Sequence, residues 1–109
     1  MKLSRELLKG NTATMILKVV SEKDTYGYEM AKTIAERSGD LFKLNEGTLY
    51  PILHTLVKEK LLESYEKESP VGKKRKYYRI TAAGRIELAA RIEEWRLFSS
   101  SVNVVLEDS

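Results

Sequence analysis

Asn45-Glu46-Gly47-Thr48-Leu49-Tyr50-Pro51-Ile52-Leu53-His54-Thr55-Leu56-Val57-Lys58 sets Leu49, Ile52, Leu53, Leu56 and Val57 at i, i+3, i+4, i+7 and i+8, the full pattern of an amphipathic helix. Asn45 is a good N-cap, and Glu46 favours the first turn through the helix dipole. Opposite the apolar stripe lie Gly47, Thr48, Pro51, His54, Thr55 and Lys58, with Tyr50 at its edge. Pro51 leaves two options: either the regular helix starts near Thr48 with Pro51 in its first turn, or the helix bends there.

Two β-leaning runs follow, Leu62 to Glu68 and Lys74 to Ile80, separated by the turn-forming Ser69-Pro70-Val71-Gly72. In the second run Tyr78 and Ile80 share one face, and Tyr77 and Arg79 the other. Lys73, Lys74, Arg75, Lys76 and Arg79 crowd this hairpin, and no acid interrupts residues 73–79. The net charge of the 109-residue chain is only +3, and residues 81–109 are net acidic. Positive charge is therefore concentrated in one segment, as a footprint for phosphates would be.

Upstream, a first helix is expected from about Arg5 to Val20, with Leu8, Thr12, Met15, Ile16, Val19 and Val20 at helical spacing. Ser21-Glu22-Lys23-Asp24 is a polar break. Thr25, or Asp24 in its place, caps a second helix whose stripe is Tyr28, Ala31, Ile34 and Ala35, and Ser38-Gly39-Asp40 ends it. Gly27 allows either a close helix approach or an unusual backbone angle, and Tyr26 either packs or touches a phosphate. Downstream, Thr81 caps a last helix reaching about Leu106. Its Leu88, Ile92, Trp95, Ser99, Val102 and Leu106 form a coiled-coil-like seam, and Ile86, Ala90, Leu97, Phe98 and Val105 lie off it. A helix with that much apolar surface must bury it in two places.

The order helix, helix, short turn, helix, hairpin, helix predicts a mostly α winged helix-turn-helix with a two-stranded β wing and a long C-terminal dimerisation helix. The expected division is a DNA-binding domain over residues 1–81 and the dimerisation helix over 82–109. A helix fits the major groove, and a basic hairpin can follow the neighbouring backbone or minor groove. The expected DNA-binding residues are Thr48, Tyr50, His54, Lys58, Lys73, Lys74, Arg75, Lys76 and Tyr77. The expected dimer interface is Leu88, Ile92, Trp95, Phe98, Val102 and Leu106. A winged helix that binds a protein partner, without specific DNA binding, is the alternative. It predicts indifference to loss of the wing lysines.

Other classes find little support. The chain has no cysteine and one histidine, His54, so neither a thiolate metal site nor a cysteine–histidine pair can be built. No nucleophile motif, glycine-rich phosphate loop or catalytic carboxylate pair is visible, and no catalytic residue, metal or cofactor is expected. No apolar stretch approaches a membrane span and no signal peptide is visible. A cytoplasmic protein is expected, to which the lack of cysteine is suited.

Leu8-Lys9-Gly10, Tyr26-Gly27-Tyr28-Glu29-Met30, Gly47-Thr48-Leu49-Tyr50-Pro51-Ile52-Leu53 and Arg75-Lys76-Tyr77-Tyr78-Arg79-Ile80-Thr81-Ala82-Ala83-Gly84 resemble the successive signatures of PadR-type regulators. The resemblance covers nearly the whole chain, and the short tail looks like the branch with a single C-terminal dimerisation helix. It implies a homodimeric bacterial repressor on a pseudo-palindromic operator in double-stranded DNA, beside detoxification or efflux genes and relieved by a small aromatic or lipophilic effector. It also implies a role for Trp95 in gripping a flat aromatic effector between subunits, against the plainer role of interface packing. One departure is Lys60, which stands where many relatives carry glycine and leaves the turn into the wing open.

Overall fold

The computed structural model describes residues 3–108. Helix α1 spans Arg5–Lys9, α2 Thr12–Glu22, α3 Gly27–Arg37, α4 Glu46–Lys58 and α5 Ala82–Leu106. Strands β1 (Thr25–Tyr26), β2 (Leu62–Glu68) and β3 (Lys74–Ile80) form one antiparallel sheet in the order β1-β3-β2.

The single first helix expected over Arg5–Val20 is two. Polar side chains take the carbonyls that would continue α1: Asn11 Nδ2 donates to the Leu7 carbonyl (2.8 Å) and Thr12 Oγ1 to that of Leu8 (2.9 Å). Such local side-chain bonds compete with helix propagation. Beyond the break α2 runs through the centre of the molecule, with Ile16 and Leu17 at 0% exposure and Val20 at 1%.

Thr25 is not a helix cap. It is a buried strand residue, paired with Tyr78 as Tyr26 is with Tyr77. A β-branched and an aromatic residue suit a strand, and β3 offers them a free edge. Thr25 Oγ1 donates instead to Glu29 Oε1 (2.7 Å), and α3 starts at Gly27 with Tyr26 in the capping position. The later start corrects the expected stripe: Met30 and Ile34 face the core, while Tyr28 is 72% exposed. Gly39 closes α3 at φ 61°. Its N–H donates to the Glu36 carbonyl and that of Asp40 to Ala35, the paired pattern of a left-handed cap.

Helix α4 begins where its cap places it. Asn45 Oδ1 accepts from the Thr48 amide (2.9 Å), and the helix continues through Pro51 without interruption. The hydrogen bond that Pro51 cannot make belongs to the Gly47 carbonyl, on an exposed residue that water reaches. Leu49, Leu53 and Leu56 enter the core, at about 1.5–3 kcal/mol for each fully buried side chain.

The exit of α4 settles the turn at Lys60, which adopts φ 64° despite its side chain. Its amide donates to the Val57 carbonyl (2.9 Å) and that of Leu61 to Leu56 (3.0 Å), again the left-handed cap usually given to glycine.

β2 and β3 pair from Leu62↔Ile80 to Glu68↔Lys74, within the bounds read from sequence. Their turn is held by Ser69, whose amide donates to the Lys73 carbonyl and whose Oγ accepts from the Lys73 amide. Thr81 then joins wing to last helix. Its Oγ1 accepts from the Gly84 amide (2.9 Å) and donates to the Lys60 carbonyl (2.7 Å). A Cβ on Gly84 would lie 2.1 Å from the Leu61 carbonyl oxygen, so the base of α5 rests directly on backbone. Leu88 is the last α5 residue fully in the core, and Ile92 packs on its margin. From there α5 projects, and the molecule is 60 Å long against 31 and 20 Å in the other directions. Among the described residues no helix is long and apolar enough to cross a membrane.

Candidate nucleic-acid interface

The α4 stripe that fills the core leaves Gly47, Thr48, Tyr50, Pro51, His54, Thr55 and Lys58 exposed. Thr48 stands in the first turn, beside Asn45, and Lys58 in the last. Thr55 Oγ1 donates to the Pro51 carbonyl (3.0 Å), so its proton is spent within the helix. Tyr50 is 44% exposed and leans on Gly27, where an added Cβ would meet its hydroxyl oxygen at 2.8 Å. Close approach, not an unusual backbone angle, therefore explains that glycine.

The wing stands beside this face. His54 and Tyr50 border a depression of about 210 Å³ with Lys76 and Tyr78, so β3 comes directly against the exposed side of α4. Burial raises the Tyr78 pKa, with a smaller contribution from Tyr50, and its phenol stays protonated at neutral pH. A second depression of about 410 Å³ brings Tyr50 together with Lys74, Arg75 and Lys76. Lys73 lies exposed in the turn. Lys74 reaches Glu66 only at 4.0 Å, with both side chains well exposed, a pair worth little.

The other face of the hairpin is a layered stack. Tyr77 lies between Tyr26 (ring centroids 5.3 Å apart, edge-on) and Tyr65 (5.8 Å, stacked). Arg75 covers the Tyr26 ring at 4.4 Å and Lys67 the Tyr77 ring at 5.4 Å, both within cation–π range. The Tyr65 hydroxyl donates to Asp24 Oδ2 (2.6 Å), and that bond raises its pKa. Tyr77 is thus half-buried in a stack that stiffens the wing, and Arg75 extends across it rather than free at the tip. Tyr26 and Tyr65 complete this stack. Tyr65 had no sequence signal, because the face it occupies depends on register with β3.

The α5 residues divide along the helix. Leu88 is buried in the chain's own core, whereas Trp95, Phe98, Val102 and Leu106 are 47%, 52%, 39% and 71% exposed. Trp95 borders two adjoining grooves of about 340 and 440 Å³, which share Thr14, Met15 and Phe42. The Trp95 and Phe98 rings lie 6.2 Å apart. Among the described residues no group of three or more His, Asp or Glu is placed to hold a metal ion.

A polar helix face flanked by a basic hairpin, on a core of three helices, is the frame of a winged helix, and residues 16–90 match the family described as the transcriptional regulator PadR-like family. The chain belongs to the PadR-like family of transcriptional regulators. The structure of a transcriptional regulator from Clostridium thermocellum is similar at TM-score 0.87 and 33% identity, over 96% of this chain and 99% of that one. A PadR-like transcriptional regulator from Bacillus cereus is 36% identical at TM-score 0.83, over 95% and 99% of the two chains. An uncharacterised protein of Lysinibacillus sphaericus is 34% identical over 94% of each chain. The PadR-like match covers α4 and the wing completely and stops within α5, short of Trp95.

Proposed function

We propose that this PadR-like regulator is a homodimeric repressor that binds a pseudo-palindromic operator in double-stranded DNA. One observation carries the proposal: the exposed face of α4 and the acid-free cations of β3 meet on one side, at the depression where Tyr50 joins Lys74, Arg75 and Lys76. Residues 1–81 are the DNA-binding unit. Thr48, Tyr50 and His54 reach base edges or phosphates in the major groove, and Lys58 takes a phosphate. Lys73, Lys74, Arg75 and Lys76 follow the adjoining backbone, and Tyr77 supports them from within the wing.

Residues 82–109 supply the dimer contact. Trp95, Phe98, Val102 and Leu106 leave more apolar surface exposed than a monomer retains without use, and a second α5 is the natural cover. Two-fold symmetry sets the two reading helices about 34 Å apart, one turn of DNA. A small aromatic or lipophilic effector binds beside Trp95 and relieves repression by shifting the spacing of the two wings. The regulated gene is one of detoxification or efflux, and the regulator works in the cytoplasm, where the operator is.

A salt-dependent binding titration against the DNA upstream of the chain's own gene tests this. Tight binding with dimer stoichiometry and specific competition is expected. Affinity no better than for arbitrary sequence, on that DNA and after selection from random sequence, would leave the winged helix as a protein-binding module.

A further inference from the structure

Tyr28 has no place in the core, yet it is fixed on the first turn of α3 and 72% exposed. It stands on the ridge between two depressions. On one side is the space of about 410 Å³ lined by Tyr50, Lys74, Arg75 and Lys76. On the other is a space of about 300 Å³ lined by Ala31, Lys32, Lys43 and Leu44. Neither wall contains an acidic residue. Lys32 reaches Glu36 only at 4.0 Å, with the two side chains 63% and 65% exposed, and Lys43 has no ion pair among the described residues. Lys43 also lies just before Asn45, the cap of α4, so the second depression abuts the end of α4 that leads into the groove.

We infer that Lys43, Lys32, Tyr28 and Tyr50 continue the wing's positive charge into one strip that holds consecutive phosphates of a DNA strand beside the groove occupied by α4. The inference rests on the DNA-binding reading above and adds a second anchor next to the wing, reached across Tyr28. The chemistry suits phosphate: lysine ammonium groups are point charges, tyrosine hydroxyls donate to phosphate oxygens, and such contacts set orientation without reading sequence. An acidic protein surface would meet the same cations, and the test separates the two.

The test measures affinity of the full-length protein by fluorescence anisotropy between about 50 and 200 mM salt. The probes are a labelled duplex of the DNA upstream of its gene and a duplex of the same length with scrambled sequence. A Lys32→Ala, Lys43→Ala double variant is expected to flatten the slope of log affinity against log salt by about 3.6 for the dimer, close to 0.9 for each of the four phosphates its two protomers release. It weakens both duplexes alike. Tyr28→Phe is expected to lower affinity about tenfold with the slope unchanged, because a neutral donor displaces no counterion. Lys18→Ala removes a charge from α2, outside the strip, and keeps the slope. Thermal melts show that each variant is folded. A double variant with the slope of Lys18→Ala would overturn the strip. If Lys74→Ala with Arg75→Ala still flattened the slope, the DNA reading would survive that loss. If the wing variant changed nothing either, or the unsubstituted protein bound neither duplex with salt dependence, both would fall and the cations would belong to a protein partner.

Discussion

The two ends of α5 carry apolar residues at similar spacing and meet opposite fates. At the base, Gly84 lies on the Leu61 carbonyl and Leu88 is 7% exposed. Beyond Ile92, Leu97, Val104 and Leu106 are 69%, 65% and 71% exposed. The difference is one of reach: α2 packs along the first turns and ends before the last. Apolar periodicity states that a face wants cover, and only the fold says whether the chain supplies it. Substitution at the base should therefore act on folding, and substitution at the tip on association.

The largest effect is expected from Gly84→Ala. Its Cβ would meet the Leu61 carbonyl oxygen at 2.1 Å, and backbone cannot move aside as a side chain does. A loss of about 3 kcal/mol or more in denaturant unfolding is expected. A loss under about 1 kcal/mol would mean that the joint is loose and the contrast between the two ends false. Leu88→Ala should cost about 2–3 kcal/mol, the lower part of the range for core leucines because Leu88 lies at the core margin. At the tip, Phe98→Ala should leave the unfolding of dilute protein nearly unchanged but remove much of the rise in Tm with protein concentration, as binding linkage requires. Equal losses for Leu88→Ala and Phe98→Ala at every concentration would erase the distinction.

Smaller effects sharpen the picture elsewhere. Lys60→Gly relieves a left-handed side-chain residue at φ 64° and should stabilise by about 1 kcal/mol in thermal or chemical unfolding. The smallest effect concerns the Glu22–Arg37 pair that ties α2 to α3. The hydrogen bond from Arg37 holds the Glu22 carboxyl below its ordinary value of 4.5. Its folded pKa is depressed, so its contribution is present above 4.5 and disappears as pH falls through the folded value. Glu22→Gln should shallow the acid limb of a stability–pH curve and leave the curve near pH 10 unaltered. There the raised pKa of Tyr65 acts with the opposite sign: its bond to Asp24 contributes below the ordinary value of 10.0 and is lost as pH rises through the folded one.

What sequence revealed and concealed follows from the range of the forces involved. The hairpin from Leu62 to Ile80 was legible because β-leaning runs and a Pro-Gly turn are local. The start of α4 was legible because Asn45 needs only the Thr48 amide three residues on. The break at Asn11 was concealed because Asn and Thr side chains compete for carbonyls without disturbing the apolar period. β1 was concealed more deeply, since two residues have no periodicity and their partner is Tyr77-Tyr78, far along the chain. That short strand shifted the start of α3 and so turned Tyr28 outward. The exposed face of α4 could be drawn from one stripe. The meeting of Tyr26, Tyr28 and Tyr50 with Lys74–Lys76 could not, because it arises where four separate elements pack.

The joint at Thr81 and Gly84 also has a mechanical side. A helix of 25 residues is about 37 Å long, so a tilt of about 5° at its base swings its far end by about 3 Å. The base is bolted to the exit of α4 through the Lys60 and Leu61 carbonyls, with no flexible linker between them. α5 is therefore a long arm set directly on the end of α4.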